Sequence, residues 1–253
     1  MTRFSANLGF LFTDLPLPDA IRAAHAAGFD AVECHWPYEF PSVDVKAALD
    51  ETGLVMLGLN TVRGEPGQNG LAAMPGREED ARRAIDQAIT YAHAIATPRI
   101  HVMAGFAKGQ VAHETFIENL RYACAQAEQH GIMILIEPLN RYDAPGYFLD
   151  SSDQAKAIIE EVGVPNLRMM FDCYHLQIME GDITRRLEAL LPLIGHIQIA
   201  SVPDRAEPDG GELCYRHVLK TLDALSYDAP IGAEYRPADP NQPRFDWMGR
   251  IRS

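Results

Sequence analysis

The feature that most constrains the fold of this 253-residue chain is a strict alternation of short apolar runs with longer amphipathic segments. The short runs are nearly continuous in apolar residues, which is typical of parallel strands that are covered on both faces. They lie at residues 4–8, 31–35, 54–60, 99–104, 132–138, 167–172, 196–202 and 231–235.

The segments between these runs carry the periodicity and the end signals of helices. Apolar residues recur at helical spacing in 77–96 and in 113–130. Ser151 supplies N-cap chemistry for a helix that ends near Val162. A short helix around 245–251 is predicted after the prolines at 240 and 243. Glycines that can adopt the left-handed conformation just after a helix stand at Gly28, Gly53, Gly131 and Gly163.

Eight such units in a chain of this length predict a closed (β/α)8 barrel, a fold that needs about 250 residues. A doubly wound open sheet is the structural alternative, although it rarely contains eight such regular units. No linker, low-complexity tract or repeat interrupts the sequence. We therefore expect a single domain over residues 1–253.

The charge and the cysteines limit the partners and the compartment. A formal net charge of −13 disfavours binding to nucleic acid or to an anionic membrane surface. The four cysteines form neither a C-x-x-C pair nor a disulfide framework. The first residues lack the apolar core of a signal peptide, and no apolar run is long enough to span a membrane. These features predict a cytoplasmic protein.

The ends of the last four predicted strands carry oxygen ligands. They are Glu137, Asp172, Gln198 and Glu234, and each lies about one βα unit after the one before it. Reactive groups in such barrels lie where the strands end, so these four side chains should converge at the barrel mouth.

A single acidic residue at a strand end is usually a helix cap or a solvated loop residue. Four in register are harder to explain in that way, because clustered buried carboxylates repel one another unless a cation intervenes. Oxygen donors without cysteine or histidine favour Mg²⁺ or Mn²⁺ over zinc. The sequence therefore predicts one divalent cation, Mg²⁺ or Mn²⁺, bound by these four side chains.

The residues around these positions resemble the hydroxypyruvate isomerase family, which includes the 2-oxo-tetronate isomerases, within the xylose-isomerase-like barrel superfamily. The similarity extends over residues 3–237. The matching segments are Ile-Glu-Pro-Leu-Asn at 136–140, Phe-Asp-Cys-Tyr-His at 171–175, Gly-His-Ile-Gln-Ile-Ala at 195–200 and Gly-Ala-Glu-Tyr-Arg-Pro at 232–237. Shorter matches are Arg-Phe-Ser-Ala-Asn-Leu at 3–8, Pro-Tyr at 37–38, Pro-Gly-Arg-Glu-Glu at 75–79, Met-Glu-Gly-Asp at 179–182, Glu-Pro at 207–208 and Gly-Glu at 211–212.

The resemblance implies a barrel with one metal ion, in which Glu137 and Glu234 are also the acid and base of an isomerase. It implies substrates such as hydroxypyruvate, which would be converted to tartronate semialdehyde, or 2-oxo-tetronates. The route is an enediolate formed by removing a proton next to a carbonyl. Two departures concern the substrate: segment 60–70 is shorter than the usual family loop and lacks its tryptophan, and Asp209 stands where a glycine is common.

Five further residues are candidates for substrate binding. Arg205 is predicted to hold a substrate carboxylate, unless it is a solvated loop arginine. His175 is predicted to hydrogen-bond a substrate hydroxyl, unless it is a packed loop residue. Trp36 and Tyr38 are candidate pocket walls, although aromatic residues more often belong to the core. Lys108 is a second candidate contact for an anion.

Three other functions stay open at this stage. An epimerase of a free ketose would use the same enediolate, but such enzymes usually carry a histidine where Gln198 stands. An endonuclease of this fold would need a histidine-rich zinc site and a basic face. A non-enzymatic barrel would bind the small acid as a sensor. A homo-oligomer is compatible with any of these functions.

Overall fold

The computed structural model describes residues 2–240 and 242–252. Eight strands form one parallel sheet in the order β2-β1-β8-β7-β6-β5-β4-β3. The strands are β1 (Phe4–Asn7), β2 (Ala31–Glu33), β3 (Leu59–Asn60), β4 (Arg99–His101), β5 (Met133–Ile136), β6 (Leu167–Asp172), β7 (Ile194–Ile199) and β8 (Ile231–Ala233).

The two ends of this sheet, β2 and β3, are joined through the residues just before β3. Val32 donates its backbone N–H to the carbonyl of Val55 at 3.0 Å and accepts the N–H of Leu57 at 2.7 Å. Cys34 donates in the same way to Gly58 at 3.1 Å. These bonds close the ring, so the predicted barrel is confirmed and the open-sheet alternative is wrong.

Helices follow the strands and cover the outside of the barrel. They are α1 (Leu17–Ala26), α2 (Ser42–Thr52), α3 (Glu78–Ala94), α4 (Gly109–Glu128), α5 (Ser152–Val162), α6 (Cys173–Met179), α7 (Ile183–Leu190), α8 (Tyr215–Ala224) and α9 (Trp247–Ile251). The helix predicted at 113–130 begins one turn earlier, at Gly109. The terminal helix begins at Trp247 rather than at 245. Among the described residues, no helix is both long and apolar enough to cross a membrane.

The helix ends show the local chemistry that the sequence indicated. Ser151 accepts the backbone N–H of Gln154 at 3.2 Å and so caps α5, which ends at Val162 and is followed by Gly163 with φ of 71°. The last helix, α9, is fixed by one large side chain. Trp247 is fully buried, meets the ring of Phe4 edge-on at 5.1 Å and donates its indole N–H to Tyr235. Helix α9 therefore packs against the residues of β1 and those that follow β8.

Candidate active site

A cavity of about 290 Å³ lies at the carboxyl ends of the strands. Glu137 follows β5 directly, Asp172 ends β6, Gln198 lies in β7 and Glu234 follows β8. Asp172 pairs with Gln198 in the sheet register, and Gln198 pairs with Gly232, two residues before Glu234. All four side chains are at least nine-tenths buried. Larger clefts exist elsewhere, but the buried acidic groups converge here.

Arg205 is the cation at the centre of this cluster. Its Nη2 atom donates to Glu234 at 2.7 Å and lies 3.5 Å from Asp172, while its Nη1 atom lies 3.3 Å from Asp143. Tyr174 and Phe10 place their rings on the guanidinium, each with its centroid 4.8 Å away. The backbone of Arg205 has a positive φ of 53°, which few side chains adopt without support from their surroundings.

Glu234 is held by three donors from distant parts of the chain. Its Oε1 atom lies 2.9 Å from His35 Nε2 and accepts the amide N–H of Asn7 at 3.0 Å, while Arg205 donates to Oε2. Burial alone would raise the pKa of Glu234, but Arg205 and His35 outweigh it and bring the pKa to about 2. Glu234 is therefore a carboxylate at neutral pH.

The pKa values of Glu137 and Asp172 are raised, in contrast to that of Glu234. Burial, together with the charges of Glu234 and Asp172, raises the pKa of Glu137 well above its usual value. Burial raises the pKa of Asp172 to about 8, although Arg205 opposes the rise. The single positive charge of Arg205 does not offset three carboxyl groups that are this deeply buried. The cluster is consequently short of positive charge.

The ring of His175 is oriented by Asn140, which lies in the loop after β5. The backbone N–H of Asn140 donates to Nδ1 of His175 at 3.0 Å, and the Asn140 amide nitrogen lies 2.8 Å from the same atom. Because a backbone N–H can only donate, Nδ1 is the acceptor and the ring proton is on Nε2. Nε2 lies 3.6 Å from Asp172 and 4.0 Å from Glu137. His175 therefore presents an N–H to the site, where it suits a substrate oxygen better than a metal ion.

The remaining predicted substrate contacts take different positions. Trp36 lines the cavity and donates its indole N–H to the carbonyl of Thr61. Tyr38 donates its hydroxyl to the carbonyl of Asn60 and meets Tyr91 edge-on, so it supports the loop behind the wall. Lys108 is exposed and lines a neighbouring cavity of about 490 Å³. Neither Tyr38 nor Lys108 is among the described residues that line the candidate site.

Several residues of the candidate site were not singled out in the sequence. His35, His101 and Asp143 line the cavity, with His101 Nδ1 3.4 Å from Glu137, and Asn7 and Glu33 lie just beneath. Burial lowers the pKa of His101 to about 4. Four of the five stand at or just beyond the ends of β1, β2 and β4. The criterion that selected Glu137, Asp172, Gln198 and Glu234, a polar residue where a strand ends, would have selected these four residues on the first strands as well.

The rim of the cavity adds two further guanidinium groups. Arg63 lies over the ring of Trp36 at 4.7 Å and donates to Asn69 at 2.8 Å. Arg236 lies over Phe10 at 5.2 Å. Both are exposed and, with Arg205, they line the cavity. Two exposed guanidinium groups at one opening favour an anionic group of a ligand there.

Comparison with known proteins agrees with this geometry. The family model described as "Xylose isomerase-like TIM barrel" matches residues 21–250. The chain is 44% identical to the 2-oxo-tetronate isomerase of Cupriavidus necator over 98% of both chains. It is 37% identical to the hydroxypyruvate isomerase of Escherichia coli K12 over all of both chains.

A solved structure shows the same architecture. The structure titled AP endonuclease, family 2, from Brucella melitensis has a TM-score of 0.95 and 38% identity, with both chains fully covered. The barrel fold is therefore shared with proteins whose names describe different chemistries. The residues at the mouth must distinguish between them.

Proposed function

The chain belongs to the hydroxypyruvate isomerase family of xylose isomerase-like TIM barrels, and on this premise we propose that this isomerase acts on a small hydroxy-keto acid. The reaction would convert hydroxypyruvate to tartronate semialdehyde, or isomerise a 2-oxo-tetronate. The observation that carries the proposal is the cavity itself, in which Arg205 lies among buried carboxylates while the exposed Arg63 and Arg236 line the opening. The carboxylates suit proton transfer, and the arginines suit the acid group of the substrate.

We propose that one divalent cation, Mg²⁺ or Mn²⁺, is held by Glu137, Asp172, Gln198 and Glu234. Among the described residues, Glu137 Oε1 and Gln198 Oε1 are buried oxygens without a hydrogen-bond partner. Such orphaned acceptors, in a cluster short of positive charge, fit a hard cation that takes oxygen ligands. His175 also lies beside Glu137 and Asp172, but its outward N–H argues against a role as a ligand.

A bound divalent cation would polarise the carbonyl and hydroxyl oxygens of the substrate. It would so acidify the C–H on the carbon that bears the hydroxyl, next to the carbonyl. Either Glu137 or Glu234 would accept that proton, and one of the two would return a proton to the neighbouring carbon, which produces and then consumes the enediolate. His175 donates its Nε2–H to a substrate oxygen. The arginines orient the substrate carboxylate, with Arg205 also balancing the charge of Glu234.

The proposal is tested by incubating the protein with hydroxypyruvate and with a 2-oxo-tetronate in heavy water, with Mn²⁺ or Mg²⁺ present. We expect turnover, with deuterium at the product carbon in the NMR spectrum, because the glutamates exchange their protons with solvent. Complete retention of the substrate hydrogen would indicate a hydride shift instead. Binding without turnover would support a sensor and contradict the proposal.

The rival functions would act on substrates whose charge differs from that of a small acid. A ketose epimerase would act on a neutral sugar, which gives the rim arginines nothing to pair with, and conversion of ketoses but not acids would favour it. An endonuclease must approach a phosphate backbone, which a net charge of −13 opposes. We therefore propose a small-molecule substrate and neither a nucleic-acid nor a membrane partner.

A cytoplasmic location is part of the proposal. Its support is that none of the four cysteines is paired, and that Cys34, Cys124 and Cys173 are buried. Cys214 is exposed. A homo-oligomer remains compatible with this function.

A further inference from the structure

Beneath the candidate active site lies a buried carboxylate that the proposed reaction does not use. Glu33 ends β2 and is 4% exposed. It accepts the amide N–H groups of Gln198 at 3.2 Å and Asn7 at 3.3 Å, both on Oε1. Its Oε2 atom lies 2.5 Å from His196 Nε2. Glu33 therefore joins β1, β2 and β7 below the site.

These contacts determine which way the Gln198 amide faces. A carboxylate accepts hydrogen bonds and cannot donate them, so the amide turns its NH₂ group toward Glu33. Its carbonyl oxygen, Oε1, must then point away from Glu33. That oxygen is buried and has no hydrogen-bond partner among residues 2–240 and 242–252. Gln198 thus keeps a free oxygen in a small cavity that it shares with Glu137 and Glu234.

The neighbouring strand leaves space for this arrangement. A Cβ atom on Gly232 of β8 would lie 2.5 Å from Glu33 Oε1, 2.8 Å from Gln198 Cγ and 2.9 Å from His196 Nε2. Any side chain there would displace the three groups. The absence of a side chain at Gly232 therefore leaves the space that Glu33 and Gln198 occupy.

We propose that Glu33 is a positioning residue that holds the Gln198 amide with its oxygen, rather than its nitrogen, toward the divalent cation. This inference rests on the metal site of the proposed function. An amide binds such a cation through its oxygen, so the wrong face would remove a ligand and place an N–H against the ion. Partners of this kind orient metal ligands and typically affect metal affinity 10- to 100-fold.

The test is Mn²⁺ binding to chelator-treated protein, followed by electron paramagnetic resonance, with no substrate or turnover. Glu33→Leu removes the acceptor, and we expect metal affinity to fall about 10- to 100-fold. Glu33→Gln is the matched control. Its oxygen can still receive the two donors from Gln198 and Asn7, and His196 can take its other tautomer because Nδ1 has no partner in the described chain. Affinity should fall by less than about tenfold.

A double-mutant cycle separates positioning from a structural role. In a Gln198→Ala background there is no amide to orient, so adding Glu33→Leu should change the affinity by no more than about twofold. An equal loss in both backgrounds would mean that Glu33 supports the barrel in general, and would overturn the proposal. A loss in Glu33→Gln as large as in Glu33→Leu would assign the effect to charge and would also overturn it.

Three further outcomes are distinguishable. If Glu33→Leu does not fold by circular dichroism, Glu33→Gln decides alone, and a loss of about tenfold or more refutes the proposal. If the wild-type protein binds no Mn²⁺, the metal site itself is refuted, and with it the role of Glu33. If the wild type binds and Glu33→Leu binds equally well, only the positioning role fails.

Discussion

At the scale of single residues, the arginines of the cavity differ in what they contact. Arg205 bonds Glu234 at 2.7 Å and is the main cause that lowers the pKa of that carboxyl against the effect of burial. Arg236 is exposed at the rim and lies over Phe10. Arg205 therefore acts on the charge state of Glu234, whereas Arg236 lies where a ligand could reach it.

We expect Arg236→Ala to raise KM for an acid substrate by about tenfold with little change in kcat, since a contact present in both ground and transition states is lost. Arg205→Ala should instead lower kcat and shift the acidic limb of the pH–rate profile upward. Without Arg205 the pKa of Glu234 rises, so its ionised form is lost at a higher pH. The measurement is kcat and KM from pH 4 to 8.

The two variants serve as controls for each other. An unchanged pH profile in Arg205→Ala, with only KM raised, would mean that Arg205 is solely a clamp for the substrate carboxylate. A shifted profile in Arg236→Ala would mean that the rim arginine also acts on the carboxylates.

At the scale of secondary-structure elements, β8 contributes to the site through the absence of a side chain. This strand has three residues, and its central residue, Gly232, faces Glu33, Gln198 and His196. The backbone of Gly232 does not have a positive φ, so close approach and not conformation explains the glycine.

We expect Gly232→Ala to lower the free energy of unfolding by about 1–3 kcal/mol, the usual cost of overpacking. It should also weaken Mn²⁺ binding, because the added methyl group displaces Glu33 and Gln198. Gly58→Ala is the matched control, since a Cβ there would lie 3.8 Å from its nearest neighbour. Urea unfolding and Mn²⁺ titration of both variants check this. Equal unfolding free energies and equal Mn²⁺ affinities in the two variants would show that the site accommodates a methyl group at Gly232.

At the scale of the whole molecule, the carboxylate cluster links folding to pH. The pKa of Asp172 is about 8 in the folded protein but about 3.9 in an unfolded chain. Between these values the folded state binds the extra proton, so its stability falls as the pH rises. Glu234, with a pKa of about 2, is ionised in both states over most of this range and adds little to the slope.

We expect metal-free wild-type protein to lose stability between pH 6 and pH 8, relative to Asp172→Asn, by on the order of 1.4 kcal/mol per pH unit. The variant lacks the titrating group, and its Glu137 loses one of the charges that raise the pKa of that carboxyl, which acts in the same direction. Urea unfolding with a chelator at pH 6, 7 and 8 measures the difference. Parallel stability curves would contradict the raised pKa. Saturating Mn²⁺ should remove the loss in the wild type, because the cation binds the ionised form.

The sequence by itself determined the barrel and the positions of Glu137, Asp172, Gln198 and Glu234. Both depend on local patterns: the alternation of strands with helices, and polar residues where strands end. Helix caps such as Ser151 and Gly163 were predictable for the same reason, since each acts on the adjacent turn. Boundaries were less predictable. Helix α4 begins at Gly109, one turn before the part with the clearest periodicity.

Only the tertiary structure decided which side chains meet. Glu33 lies 165 residues from Gln198, and Asn7 lies 227 residues from Glu234, so these contacts exist only because the barrel closes and brings β1 and β2 beside β8 and β7. The assignment of Arg205 to Glu234 and the tautomer of His175 likewise depend on distances between separate loops. Sequence patterns place a residue along its own element, whereas partners across a barrel are set by the closure of the chain as a whole.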